Sequence, residues 1–177
     1  MKATIPVLAL LAALRALAPG LAHAQAHAHG TARLDVAVQG STVSLQFEAP
    51  LDALFGFERA PRSAAERQLV DAGIARFKAA GGLFKIDPAA GCTLQRTELN
   101  SAALNLGAAA APAAAEHADL DARFEFACQN AALLGTMDIT LFDAFPRLQR
   151  IDVQIAAPKG QFKRTLKRPM TRISLQR

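Results

Sequence analysis

Apolar side chains occupy every second position from Leu34 to Val38 and again from Val43 to Phe47, and Gln39-Gly40-Ser41 separates the two runs. A period of two places successive side chains on opposite faces of a strand, so the pattern predicts a β-hairpin with one apolar face. Pro50 is expected to end the second strand, because proline lacks the backbone N–H of a sheet ladder. The apolar segment 51–58 then predicts a loop or a short helical turn.

A helical pattern follows the hairpin. Ser63-Ala-Ala-Glu66 has the sequence of a capping box, in which the serine hydroxyl and the glutamate carboxylate each accept from a free backbone N–H. Behind this motif, apolar or small residues recur at helical spacing at Leu69, Val70, Gly73, Ile74 and Phe77. We therefore predict one long helix that begins after Ser63 and ends near Gly81-Gly82.

The remainder of the chain predicts short strands. Alternation is clearest between Leu120 and Cys128, where Phe124 and Phe126 lie on the apolar face. The other predicted strands, separated by proline and glycine, are 83–86, 92–99, 137–142, 151–156, 162–166 and 173–175. This order predicts a single α+β domain, mainly an antiparallel β-sheet with one long helix packed against it. An alanine-rich run at 107–115 is expected to form a flexible exposed loop within that domain.

Residues 1–24 have the composition of a cleaved signal peptide. A lysine precedes a run of mostly Leu and Ala from Ile5 to Ala18, and small residues suit cleavage after Ala24 or Ala26. A membrane-spanning helix needs about 20 apolar residues. Because Arg15 interrupts the run, we expect export to the periplasm with no stable membrane anchor.

Export changes the charge and the redox setting of the mature chain, residues 25–177. The formal net charge of +5 falls by two when Lys2 and Arg15 are removed, and the chain contains no Trp or Tyr on which bases stack. We therefore expect no nucleic-acid binding.

Cys92 and Cys128 are the two cysteines, and an even number in an exported chain predicts a disulfide. Neither lies in a CxxC pair or a Cys/His signature typical of a metal or catalytic thiol.

Histidine and aspartate follow the strand alternation at two places. His29, like His27, shares parity with the polar face of the first strand, and His117 shares parity with Asp119 on the polar side of the strand 120–128. If these two strands pair, imidazoles and carboxylates converge, and Zn2+ takes such ligands in tetrahedral geometry. His27, His29, His117 and Asp119 are therefore candidate metal ligands. The alternative interpretation is a solvated strand face beside a disordered terminus.

Cleavage after Ala26 would add a second metal chemistry. The mature chain would then begin His27-Ala28-His29, whose terminal amine, amides and imidazole can hold Cu2+ or Ni2+ in a square plane. Cleavage after Ala24 removes that possibility.

A family resemblance rests on segments spread across essentially the whole mature chain. These are the segments 27–40, Gly56-Phe-Glu-Arg-Ala-Pro61, Gly91-Cys-Thr-Leu94, 117–128, Leu141-Phe-Asp-Ala-Phe-Pro146, Ile151-Asp-Val-Gln-Ile155 and Gly160-Gln161. In order and spacing they resemble the zinc-regulated periplasmic zinc-binding proteins, the zinc-regulated gene A type. The resemblance implies an accessory protein of zinc homeostasis without catalytic activity, which binds zinc and assists its uptake by a zinc ABC importer.

The chain departs from this family pattern at three places. The alanine-rich run 107–115 stands where members usually carry a tract rich in His, Asp and Glu. Arg59 stands where members tend to have histidine, and members tend to have another histidine near the position of Arg123. Arginine stays charged, has no lone pair to offer a metal and would repel a nearby cation. Compared with the family, we therefore expect reduced zinc capacity, with a single site at most.

Other functional classes are represented weakly or not at all. Neither G-x-S-x-G nor H-E-x-x-H occurs, so we expect that the protein is not an enzyme.

From Val153 to Arg177 the chain has basic residues and no acidic residue. This run predicts either an interaction surface for an acidic partner or anionic membrane, or charge along exposed edge strands that discourages aggregation. Its cations are Lys159, Lys163, Arg164, Lys167, Arg168, Arg172 and Arg177.

Overall fold

The computed structural model describes residues 29–107 and 118–176. Its helices and strands, in chain order, are β1 (Thr31–Gln39), β2 (Thr42–Pro50), α1 (Leu51–Phe55), α2 (Ala64–Lys78), β3 (Phe84–Ile86), β4 (Cys92–Asn100), β5 (Asp119–Cys128), β6 (Thr136–Ile139), α3 (Leu141–Ala144), β7 (Arg150–Ala157), β8 (Gly160–Lys167) and β9 (Arg172–Ser174). The predicted signal peptide, His27, His117 and most of the alanine-rich run lie outside the described residues.

Within the described residues, the strands form two sheets. A six-stranded sheet has the order β4-β5-β2-β1-β7-β8, and a three-stranded sheet has the order β3-β6-β9. Antiparallel pairing dominates both, but β1 and β7 are parallel. A parallel pair needs a long crossover connection, and here the chain between β1 and β7 includes α2 and two strands of the smaller sheet. The predicted antiparallel sheet is therefore correct only in part, because the large sheet is mixed and a second sheet is present.

The predicted strand 137–142 is wrong in its C-terminal half. β6 ends at Ile139, and α3 begins at Leu141. Between them, the hydroxyl of Thr140 donates to the carbonyl oxygen of Gly82 at 2.7 Å. This bond lies where the chain leaves the sheet before α3. Alternation could not reveal the turn, because apolar residues continue through it and are buried in both conformations.

The longest helix of the described residues, α2, packs on one face of the large sheet. The ring of Phe77 lies 5.4 Å from that of Phe47 on β2 and 6.4 Å from that of Phe124 on β5. The helix begins with the predicted capping box, which is confirmed by reciprocal hydrogen bonds between Ser63 and Glu66. Alternate positions of β1, β2, β5 and β7 are buried on this face, which leaves their polar positions on the other face. None of the described helices is long and apolar enough to span a membrane.

Cys92 and Cys128 form the predicted disulfide. They lie directly opposite each other in the register of β4 and β5. The N–H of Cys128 donates to the carbonyl oxygen of Ser41 at 2.8 Å, so the turn between β1 and β2 lies at the same end of the large sheet. We call this the disulfide end.

Candidate metal centre

Three side chains converge at the opposite end of the large sheet. The Nδ1 atom of His29 lies 2.5 Å from Oδ2 of Asp52 and 3.9 Å from Oε1 of Glu58. One potential ligand atom from each residue lies within 4.8 Å of the other two. We call His29, Asp52 and Glu58 the strand-end cluster.

His29 is placed by the glycine that follows it. Gly30 has a φ of +71°, a left-handed conformation that residues with a Cβ rarely adopt. Its carbonyl oxygen accepts from the N–H groups of Gln149 and Arg150 at 2.8 and 3.1 Å. A Cβ at this position would lie 3.1 Å from the carbonyl oxygen of Arg147. The His-Gly dipeptide therefore turns tightly against the chain that enters β7.

The two carboxylates come from α1 and the segment after it. Because β1 and β2 are antiparallel, the start of β1 and the end of β2 lie at the same end of the sheet. α1 begins directly after β2 and carries Asp52 in its first turn. Gly56 ends α1 with a φ of +88°, and Glu58 follows two residues later. The strand register and these two turns bring both carboxylates to His29.

The strand-end cluster combines an exposed imidazole with a partly buried carboxylate. The side chain of His29 is 81% exposed and that of Asp52 is 20% exposed. The hydrogen bond to Asp52, the charge of Asp52 and then the charge of Glu58 raise the pKa of His29 above its ordinary 6.5. The second carboxylate oxygen of Asp52, Oδ1, is buried and has no hydrogen-bond partner among the described residues. Buried charges in proteins are ordinarily paired or coordinate metals, so this oxygen suits a cation.

Of the four predicted metal ligands, His29 is the one that the structure places in the strand-end cluster. His29 belongs to the strand-end cluster, whereas His27 and His117 lie outside the described residues. Asp119 begins β5 opposite Pro50, at the same end of the sheet, but is not one of the three clustered residues. The strands β1 and β5 do not pair with each other, because β2 lies between them. His29 and Asp119 therefore share an end of the sheet and not a strand pair.

Sequence patterns did not identify Asp52 and Glu58 as candidate ligands. Asp52 lies in the first turn of a helix, where a carboxylate is favourable for reasons unrelated to metals. Glu58 belongs to the Gly56-Phe-Glu-Arg59 segment, which was the available signal. Both residues lie outside the strands, so strand parity could not connect them with His29.

Arg59 follows Glu58 of the strand-end cluster in sequence, but its guanidinium contacts a carboxylate in the first turn of α2. Its guanidinium donates to both carboxylate oxygens of Glu66, at 2.9 and 2.8 Å, and lies 5.0 Å from the ring centre of Phe57. The bond from Arg59, followed by that from the N–H of Arg62, lowers the pKa of Glu66 to about 2. The positive charge expected to repel a cation is therefore balanced by a carboxylate.

The sequence also matches a known protein family. Residues 26–175 match the family described as ZrgA family zinc uptake protein. The chain belongs to this family. The matched range includes every residue of the strand-end cluster, and membership of the family associates the chain with zinc uptake. No curated protein matches the chain significantly.

Proposed function

We propose that this chain is a periplasmic accessory protein that binds zinc and assists its acquisition or buffering. The observation that carries the proposal is the strand-end cluster. There, an exposed His29 imidazole adjoins Asp52, whose buried Oδ1 has no donor among the described residues. Membership of a zinc uptake family supports the choice of metal.

In this proposal His29, Asp52 and Glu58 bind the ion through one nitrogen and two oxygen atoms. Zinc takes such ligands at about 2.0–2.2 Å and prefers four of them in tetrahedral geometry. One position therefore remains for water or a fourth residue, and His27, His117 and Asp119 are the predicted candidates for it. The exposure of His29 leaves the ion open to exchange, which suits an accessory protein better than a structural zinc site.

The same proposal includes export and a limited capacity. The composition of residues 1–24 supports cleavage and periplasmic localisation. Membership of a zinc uptake family supports a role in uptake, and a component of a zinc ABC importer is the proposed recipient of the ion. The alanine-rich run 107–115 supplies no ligand side chain. One zinc ion per chain is therefore the proposed load.

Calorimetric titration of the oxidised mature protein with zinc tests the proposal. We expect saturation near one ion per chain, and affinities about tenfold or more weaker in His29→Ala and Glu58→Gln. Asp71→Asn removes an exposed carboxylate on α2 and is the matched control, with wild-type binding expected. Unchanged binding by His29→Ala would refute the site, and no saturable binding at micromolar zinc would refute the function.

Two further measurements test the parts of the proposal outside the described residues. His27→Ala and His117→Ala are expected to weaken zinc binding if either residue completes the coordination shell. Mass spectrometry of the mature amino terminus decides between cleavage after Ala24 and after Ala26. Only cleavage after Ala26 leaves an amino terminus whose nitrogen atoms can bind Cu2+ or Ni2+.

The basic C-terminal strands support the alternative, a non-metal interaction module, less well. Arg172 donates to both oxygens of Asp138 at 2.7 Å. Arg168 donates to the carbonyl oxygen of Phe142 and lies over its ring. β8 forms an edge of the large sheet, where basic side chains oppose pairing with another sheet. These contacts favour a structural role for the cations.

A further inference from the structure

One arginine lies beside the strand-end cluster without belonging to it. The guanidinium of Arg147 packs against Gly56, the glycine between the two carboxylate residues of the cluster, because a Cβ at Gly56 would lie 2.7 Å from both Cζ and Nε of Arg147. The carbonyl oxygen of the same arginine would lie 3.1 Å from a Cβ at Gly30, the residue after His29. Arg147 is therefore placed against both glycines that position the ligands.

Hydrogen bonds hold the backbone on either side of Arg147. The N–H of Leu148 donates to the carbonyl oxygen of Phe145 at 3.0 Å, and the N–H of Gln149 donates to that of Gly30 at 2.8 Å. The side chains of Phe145 and Leu148 are buried in the core. The point at which the Arg147 side chain leaves the backbone is therefore fixed relative to the strand-end cluster.

The guanidinium of Arg147 is exposed and makes no hydrogen bond or ion pair with another described residue. Two other arginines near this end of the sheet differ. Arg59 binds Glu66, and the Nε atom of Arg150 donates to both carboxylate oxygens of Asp152 at 3.0 Å. A cation beside the end of a helix is favourable in itself, but α1 has five residues and its carbonyl oxygens accept no bond from this guanidinium.

The charges at the strand-end cluster favour an anion as the fourth ligand of zinc. Asp52 and Glu58 carry two negative charges and a neutral His29 carries none, so the ion bound to these three residues would have no net charge. Arg147 adds one positive charge beside it. An anion in the fourth position would be attracted by Zn2+ and by the guanidinium at once, whereas a neutral ligand would not.

We propose that a carboxylate anion from solution completes the coordination of zinc and that Arg147 holds it. This inference rests on the proposed function, because it requires zinc at the strand-end cluster. One carboxylate oxygen binds the ion, and the other accepts from the guanidinium. The planar fork of donors on arginine matches the two oxygens of a carboxylate, whereas chloride offers a single atom. The site would therefore accept zinc together with a small organic acid.

The experiment uses Co2+ in place of Zn2+ in the oxidised mature protein, because the visible spectrum of bound Co2+ responds to its ligands. Acetate is titrated at an ionic strength kept constant with sodium perchlorate, whose anion coordinates weakly. We expect a saturable spectral change in the wild type. Arg147→Gln should weaken acetate binding about tenfold or more, because charge-assisted hydrogen bonds are lost. Arg147→Lys keeps the charge without the fork and should bind acetate with intermediate affinity.

Zinc affinity in the absence of acetate is a second readout, and its expected change has the opposite sign. Arg147→Gln should bind zinc about two- to fivefold more tightly, measured by competition with a chelating dye, because a like charge beside the ion is removed. Replacement of a merely structural arginine would weaken zinc binding instead. Circular dichroism verifies that each variant folds.

Lys159→Gln is the matched control. It removes an exposed cation from the turn after β7, which lies at the disulfide end because β7 runs parallel to β1. Its affinities for acetate and for zinc should both equal those of the wild type.

The outcomes separate this inference from the proposed function. Absence of both Co2+ and Zn2+ binding overturns the two together. If the metal binds and His29→Ala weakens it, the function stands, and the anion site alone is overturned when acetate leaves the wild-type spectrum unchanged or binds Arg147→Gln equally well. The anion site is also overturned if acetate acts only after His27→Ala or His117→Ala, since a histidine would then be the fourth ligand.

Discussion

The two ends of β5 show two ways in which this chain brings distant residues together. At the disulfide end, Cys128 faces Cys92 across one strand pair, and a covalent bond joins them. At the other end, Asp119 faces the last residue of β2, and the neighbouring strand-end cluster is assembled from a turn, a short helix and a loop. The first arrangement depends on strand register alone. The second depends on several backbone conformations at once, so it should be easier to disrupt.

Removal of the disulfide should have the largest effect on stability. Joint replacement of Cys92 and Cys128 by serine opens a loop with a sequence separation of 36 residues. The expected loss is about 3–4 kcal/mol in the free energy of unfolding, measured by urea denaturation. Zinc affinity of the folded variant should stay at the wild-type value. A parallel fall in zinc affinity would show that the two ends of the sheet are coupled.

Asp52→Asn should affect zinc affinity much more than the free energy of unfolding, unlike removal of the disulfide. The amide oxygen can still accept a hydrogen bond from His29, but the charge that favours the ion is lost. We expect zinc affinity to fall about 10–100-fold, measured by competition with a chelating dye. Equal affinity in the variant and the wild type would mean that Asp52 only orients the imidazole.

Gly30→Ala and Gly40→Ala compare the two ends of β1 directly. Both glycines have positive φ, +71° and +57°, so each substitution should lower the free energy of unfolding by about 1 kcal/mol or more. Gly30→Ala should lower it further, because its Cβ approaches the carbonyl oxygen of Arg147, whereas the Cβ of Gly40→Ala meets nothing within 4 Å. Thermal denaturation measures both variants. Only Gly30→Ala should weaken zinc binding, and the reverse order would contradict the placement of His29.

The smallest expected effect is a change in the titration of His29, measured by NMR in metal-free protein. Asp52 raises its pKa above the ordinary 6.5, so the protonated form is favoured in the folded state. This contribution to stability is fully present below pH 6.5 and is lost as the pH rises through the raised pKa. Zinc requires the neutral imidazole, so its affinity should increase over the same rise in pH. Asp52→Asn should lower the pKa, and an unchanged value would disprove the contact.

Several elements of the fold could be predicted from the sequence, whereas most of the strand-end cluster could not, and the difference has a physical reason. The hairpin of β1 and β2, the capping box of Ser63 and the alternation of β5 involve residues close in sequence, and each was predicted and then observed. His29 was predicted as a ligand because a histidine pair is visible in the sequence. Asp52 and Glu58 were missed because their role arises from the turns that α1 and Gly56 impose, which leave no periodic trace.

The sequence by itself determined the local elements and the pairing of the two cysteines, since hydrophobic periodicity, capping chemistry and a count of two cysteines act without knowledge of distant contacts. The tertiary structure decided the parallel pairing of β1 with β7, the start of α3 after Thr140 and the neighbours of His29. These features depend on which strands lie side by side. That choice is made by burial of the shared core, where residues far apart in the chain meet.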